Sequence, residues 1–159
     1  MDKGFTVRLA ELDDAAAISV LVSQLTRRFL VEDFSPAGAA RLLDAMSEQA
    51  VRSYLQQGFR YHLAEQTLEN NTELVGVVAT RDNQHLYHLF VAESVQGQGL
   101  ASRLWQQAKA SCLANGNCGE FTVNASLNAK VIYQAWGFVA EQERRETKGI
   151  IDVPMRLVL

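Results

Sequence analysis

The chain has 159 residues, 48% apolar and 21% charged, with only two prolines and a formal charge of −3. That length suits a single domain over residues 1–159, and the composition excludes a disordered chain. Acids and bases are interspersed, and the only basic pairs are Arg27-Arg28 and Arg144-Arg145, so a nucleic-acid partner is not expected. The opening MDKGFTVRLAELDD holds no apolar core of signal-peptide length, and apolar runs such as Val77-Val78-Ala79 are short. No membrane partner is expected, and the cytoplasm is the expected compartment. Cys112 and Cys118 fit neither a disulfide scaffold nor a common zinc spacing and read as reduced thiols.

In chain order, Phe5 to Leu9 alternates as a strand. Asp13-Asp14 then opens a helix whose apolar residues Ile18, Leu21, Val22 and Leu25 recur at helical spacing. Ser35-Pro36, a cap residue followed by proline at the first helical position, predicts a second helix that continues to about Gln57, where Gly58 stops it. Strands over residues 59–65, 74–80 and 87–91 are separated by the polar turns Asn70-Asn71 and Asp82-Asn83, the pattern of an antiparallel meander. A helix follows from Leu100 to about Leu113, then a strand over Glu120–Asn124 and a helix from about Leu127 to Trp136. Phe138–Arg145 and Ile151–Leu159 read as closing strands. Pro154 lacks an N–H and suits an edge or a bulge.

The stretch Leu86 to Ser102, LYHLFVAESVQGQGLAS, organises the rest. A short buried strand runs into a glycine turn and directly into a helix N-terminus, whose first N–H groups have no partners within the helix and favour an anion. A nucleoside-triphosphate loop needs lysine and a hydroxyl residue after its last glycine, and Leu100-Ala101 stand there instead. A dinucleotide loop needs a third glycine where Ser102 stands. The segment Gln96-Gly97-Gln98-Gly99-Leu100-Ala101 resembles the Q/R-x-x-G-x-G/A signature of the GNAT superfamily of N-acetyltransferases, with Gln96, Gly99 and Ala101 at its defining positions. Asn124-Ala125-Ser126 through Tyr133-Gln134-Ala135-Trp136-Gly137-Phe138 is similar to that family's second block, and the element order matches over the whole chain.

The resemblance implies an α/β (α+β) GNAT fold: a mixed, mostly antiparallel sheet of about six to seven strands flanked by about four helices. It implies acetyl-CoA as cosubstrate, with the diphosphate held by the backbone of Gln96, Gly97, Gln98, Gly99, Leu100, Ala101 and Ser102. Phe90 and Val91 would hold the pantetheine arm and the thioester carbonyl in a splayed gap between strands. Asn124 and Asn128 would contact the arm's amides, although Asn124 and Ser126 read equally well as helix caps. Tyr133 would protonate the departing CoA thiolate. The implied reaction is acetyl transfer to a primary amine, of a small molecule or a peptide, by direct attack. A CoA-binding module without turnover and a longer acyl-CoA are the rival readings.

The base is not identified by sequence. Glu93, His85 and His88 lie near the cofactor strand, and the two histidines, three apart, are expected on opposite faces, where they cannot share a metal. No metal site is expected. Phe29, Phe34, Tyr54 and the Arg27-Arg28 pair are candidates for the acceptor pocket. The apolar Ile151–Leu159 strand is a candidate sheet edge for a homodimer.

Overall fold

Alternation of apolar and polar residues in FTVRL gives β1 (Phe5–Leu9), and the chain then turns into α1 (Ala15–Phe29). Arg8 fixes that turn: its guanidinium bonds both oxygens of Asp14 at 2.8 and 2.9 Å and Glu65 at 2.8 Å. Residues 4–159 are described by this structure, a computed structural model. The apolar stripe expected on α1 is the one that packs, with Ile18, Leu21, Val22 and Leu25 all buried.

After α1 come α2 (Pro36–Asp44) and α3 (Glu48–Gln56), where the sequence pattern predicts one continuous helix. The break is at Ser47, whose backbone is extended and whose Oγ accepts the Ala50 N–H at 3.1 Å. Met46 anchors the corner: it is buried, and its carbonyl accepts the Ser19 hydroxyl at 2.6 Å. A serine cap inside a run of good apolar spacing is the local signal that the periodicity conceals.

The sheet contains β2 (Arg60–Leu68), β3 (Asn71–Arg81), β4 (His85–Val91), β5 (Glu120–Ala125), β6 (Val139–Ala140), β7 (Arg145–Thr147) and β8 (Ile150–Val158). Its order is β1-β2-β3-β4-β5-β8-β6, with β7 also on β8. All pairings are antiparallel except β4 with β5. The α4 helix (Leu100–Ala114) and the short α5 (Lys130–Ala135) complete the chain. Among the described residues, eight strands and five α-helices therefore stand where about six to seven and about four are expected, because the second helix and the Phe138–Arg145 strand are each divided.

Pro154 explains the second division. Glu141 donates its N–H to the Pro154 carbonyl at 2.9 Å, and the return bond of that pair has no donor. β6 ends there, and β7 resumes against Ile150–Asp152. β8 is thus an interior strand, with β5 on one side and β6 and β7 on the other. The free edge expected there for a second copy is already covered by the chain itself.

Two apolar layers sandwich the sheet. On one face α1 and α3 pack over Tyr61, Leu63, Val77 and Ala79. On the other, Leu100, Leu104, Trp105, Ala108 and Cys112 of α4 pack over Phe121, Val123 and Met155. A bulge in β4 sets which side chains reach which face. Ala79 opposes His88 while Thr80 opposes Leu86, so Tyr87 has no partner in the register. Leu86 and Leu89 consequently join the α4 layer, whereas Tyr87 and Phe90 join the α1 layer. The His88 ring lies 4.5 Å from Tyr87 and 5.9 Å from Tyr61, on that same face. His85 bonds Thr122, whose neighbours Phe121 and Val123 point to the α4 layer. The bulge therefore places His85 and His88 on one face, correcting the opposite faces that strict alternation predicts.

Gly38 of α2 and Gly149 of the β7–β8 turn meet backbone to backbone, and a Cβ on Gly38 would overlap the Gly149 carbonyl. This contact, with Ser35 capping the Gly38 N–H at 3.0 Å, seats α2 against β8. Gly38→Ala is expected to destabilise the protein by about 1–3 kcal/mol through overpacking, read as a lower melting temperature. A melt indistinguishable from that of the parent would show that α2 is not held by this contact.

Candidate functional site

Beyond Val91 the chain makes a single 3-10 turn over Glu93–Val95, with Val95 buried beneath it. The Gln96 side chain turns back and donates to the Val91 carbonyl at 3.0 Å, bracing the loop against the end of β4. Gly97 and Gly99 both have φ +79°, a left-handed conformation that L side chains disfavour, and Gly99 caps α4. Among the described residues, the N–H groups of Gly97, Gln98, Gly99, Leu100, Ala101 and Ser102 donate to no protein acceptor. An added Cβ at Gly97 or Gly99 would meet nothing within 4 Å. The loop is therefore an open concavity lined by six successive donors at the positive end of a 15-residue helix. A diphosphate fits the donors of Gly97–Ser102, whereas the Gln96 N–H, also expected among them, bonds the Glu93 carbonyl at 3.4 Å.

β4 and β5 pair in only two positions, His85 with Thr122 and Leu86 with Val123, and then part. The gap is continuous with a cavity of about 710 Å³. At one end its wall includes Gln96, Gly97, Gly99, Leu100 and Ala101; Gln98 and Ser102 lie off the wall. Phe90, Val91, Asn124 and Asn128 line its middle. Asn124 is exposed with no side-chain partner among the described residues. Ser126 is the residue that caps, its Oγ accepting the Ala129 N–H at 3.2 Å. Asn128 donates to the Phe29 carbonyl at 2.9 Å, tying the start of α5 to the end of α1 across the cavity.

Tyr133 reaches the same cavity from α5. It is 5% exposed, held edge-on by Trp136 and Phe138 at ring separations of 5.7 and 5.5 Å. Burial pushes its phenol well above the ordinary value, so it keeps its proton throughout the physiological range. Its hydroxyl has no hydrogen-bond partner among the described residues.

The three candidate bases separate. Glu93 is off the cavity wall, 3.7 Å from Arg28. His88 also lines the cavity but is only 4% exposed, its Nδ1 is 3.1 Å from the Tyr61 hydroxyl, and burial lowers its pKa to about 3. His85 lines the cavity with Nδ1 2.8 Å from Thr122 Oγ1, which leaves Nε2 open; burial, aided by Arg81, lowers its pKa to about 4. Both imidazoles are therefore neutral near pH 7.

Of the acceptor candidates, Phe29 and Phe34 line the cavity, while Tyr54, Arg27 and Arg28 do not. Tyr54 is occupied in packing, its hydroxyl donating to the Ala45 carbonyl at 2.8 Å. Sequence reasoning missed Arg41, Arg81 and Asp152 on the wall. They come from α2, β3 and β8, and no spacing in the chain links them. Among the described residues no group of three or more His, Cys, Asp or Glu is placed to hold a metal, and no helix is long and apolar enough to cross a membrane.

Comparison with known proteins agrees with this geometry. No curated protein sequence matches the chain. In fold it is similar to a GCN5-related N-acetyltransferase from Rhodopseudomonas palustris, with TM-score 0.80 and 21% identity over 97% of this chain and 95% of that one. It is also similar to the PaiA N-acetyltransferase of Thermoplasma acidophilum, solved with coenzyme A, with TM-score 0.75 and 12% identity over 98% and 99% of the two chains. A third similar structure is YncA from Salmonella typhimurium, solved with acetyl-CoA, with TM-score 0.65 and 17% identity over 98% and 94%. Residues 30–159 match the acetyltransferase (GNAT) domain, which includes the cradle, the parted strands and Tyr133, and the chain therefore belongs to the GNAT family of acetyl-CoA-dependent N-acetyltransferases.

Proposed function

We propose that the protein transfers acetyl from acetyl-CoA to a primary amine by direct attack, with Tyr133 as the acid. The observation that carries this reading is that the donor-lined loop, the gap between β4 and β5 and the Tyr133 ring all border one cavity. The diphosphate lies on the N–H groups of Gly97–Ser102, and the arm follows β4 past Val91 and Phe90, with Asn124 and Asn128 beside it. Past Leu86 the inner side of β4 has no strand partner, so its backbone groups are open to the arm's amides and to the thioester carbonyl. A donor on that carbonyl favours the oxyanion that forms as the amine attacks.

In the step itself the amine lone pair forms a C–N bond to the thioester carbon and the C–S bond breaks. The thiolate takes the Tyr133 proton, the nitrogen gives up its own proton to water in the open cavity, and the tyrosinate is reprotonated from that water. Neither buried histidine is basic enough to strip a protonated amine, and the one carboxylate on the wall, Asp152, is held by Arg145 at 2.6 Å. The acceptor therefore reacts from its neutral fraction.

Three outcomes are expected. Gly99→Val weakens acetyl-CoA binding in a calorimetric titration by at least about tenfold, since a branched side chain both resists the left-handed backbone and fills the concavity; unchanged affinity would remove the loop from the cofactor site. Tyr133→Phe lowers turnover by roughly 10²-fold with little change in acetyl-CoA affinity, measured by free-thiol release; equal turnover would take Tyr133 out of the reaction. In the parent protein kcat/KM climbs with pH through neutrality, following deprotonation of the acceptor's own ammonium, and does not fall below about pH 10, because the tyrosine is shifted upward from its ordinary value. A plateau reached by about pH 6.5 would instead identify a histidine base.

A further inference from the structure

The acceptor end of the cavity has a charge pattern of its own. The charged residues on the cavity wall are Arg41, Arg81 and Asp152. Asp152 is neutralised by Arg145, which reaches it across the β7–β8 hairpin at 2.6 Å. Arg41 is exposed on α2 and, among the described residues, makes no side-chain hydrogen bond or ion pair. Arg81 stands at the end of β3, its guanidinium 5.9 Å from the Tyr87 ring centroid. Its Nε is buried without a hydrogen bond, and the nearest carboxylate oxygen, on Asp82, lies 3.5 Å away without hydrogen-bond alignment. The same wall carries the apolar side chains of Leu25, Phe29, Phe34, Leu42, Ile150 and Ile151.

A wall of that kind opposes a polycation. An acceptor with several ammonium groups would lose water against apolar side chains and meet two guanidiniums with no free carboxylate in return. The same wall suits an amine that also carries a carboxylate, since a guanidinium fork matches two carboxylate oxygens and a charge-assisted pair in a part-closed cavity is stronger than on open surface. The diphosphate of acetyl-CoA does not account for the two arginines, because its donors are at the cradle end and its thioester end is uncharged.

Resting on the acetyltransferase reading above, we infer that the acceptor is an α-amino acid with a large apolar side chain, its carboxylate bound by Arg41 and Arg81 and its side chain lying against Phe29, Phe34 and Leu42. Polyamines, aminoglycosides and lysine-rich peptides are excluded as the preferred class by the same charges. Arg41 belongs to α2, so the Gly38–Gly149 contact that seats this helix also sets the position of the carboxylate site.

The test uses the full chain and separates binding from turnover. Leucine, methionine and phenylalanine are titrated calorimetrically into the protein–CoA complex beside phenylalaninamide, phenethylamine, glutamate, phosphoethanolamine and spermidine, and each is assayed for thiol release with acetyl-CoA. Apolar amino acids are expected to bind at least about tenfold more tightly than phenylalaninamide and to be the preferred acceptors. Arg41→Gln and Arg81→Gln are each expected to raise the amino-acid KM roughly ten- to a hundredfold while acetyl-CoA affinity stays the same, with Arg41→Lys restoring part of the loss. Melting temperatures of the variants confirm folding, and partial rescue by lysine is a response that a purely structural arginine would not give. Tight carboxylate-dependent binding without thiol release would support the ligand class and overturn the catalytic reading. Spermidine or the amide bound as tightly as phenylalanine, a preference for glutamate or phosphoethanolamine, or an acetyl-CoA affinity that falls in step with the amino-acid KM would overturn the inference.

Discussion

The parting of β4 from β5 after two residue pairs is the constraint on which the site depends. A parallel pair that continued to Val91 and Ala125 would satisfy its own backbone and leave no room between the strands. Each open N–H or C=O would cost about 1–3 kcal/mol if sealed in a dry core, so such a gap persists only where water or a ligand reaches it. Here it opens into the cavity, and the cost is small until a ligand replaces that water. The split is kept from closing on both sides. β4 is held by its long ladder with β3, and β5 by six pairs with β8.

The loop and the bulge then divide the cavity into two chemically different ends. On the α4 face, glycine conformations turn the backbone outward and concentrate N–H groups at the start of α4, suited to an anion and indifferent to its identity beyond the phosphates. On the α1 face, the bulge at Tyr87 brings Tyr87, His88 and Phe90 to one side and packs His88 against Tyr61. Neutral, desolvated imidazoles give this end an apolar floor without adding charge, so that the field in it is set by the arginines.

How much of this could be read from the chain follows from how local each feature is. Gln96-Gly97-Gln98-Gly99 and the helix after it act through their own backbone, and their consequence is visible in six residues of sequence. The Tyr133 helix is nearly as local, since Ser126 closes the turn that leads into it and Trp136 and Phe138 clamp the ring from within the same segment. The division of the second helix is concealed because Ser47 sits in a stretch whose apolar spacing hardly changes across it, and the corner shows only in the folded chain, where Ser47 caps Ala50 and Ser19 binds the Met46 carbonyl. The shared face of His85 and His88 was illegible because a bulge depends on the register of β3, not on β4. Arg41, Arg81 and Asp152 are the extreme case, lining one cavity but distant in sequence, each an ordinary surface charge when read alone.

The enclosure that raises Tyr133 looks at first like an obstacle to its acting as an acid, because a phenol harder to ionise gives up its proton less readily. The comparison that matters is with the group that receives the proton. An ordinary thiol ionises near 8.5 and a phenol near 10, a gap of about 1.5 units or roughly 2 kcal/mol in water. A thiolate released beside Tyr133 is desolvated by the same Trp136, Phe138 and Leu100 environment, so burial raises both values and largely cancels in their difference. Among the described residues Tyr133 has no competing acceptor, so on the proposed role its O–H would be free to point at the sulfur as charge develops there. A hydrogen bond to a charged acceptor in such a setting is worth about 1.5–3 kcal/mol, comparable with the gap itself. On the proposed role, expulsion of the thiolate would then be feasible even before the proton had fully moved, with the ring buried against Trp136 and Phe138 and the hydroxyl left facing the cavity.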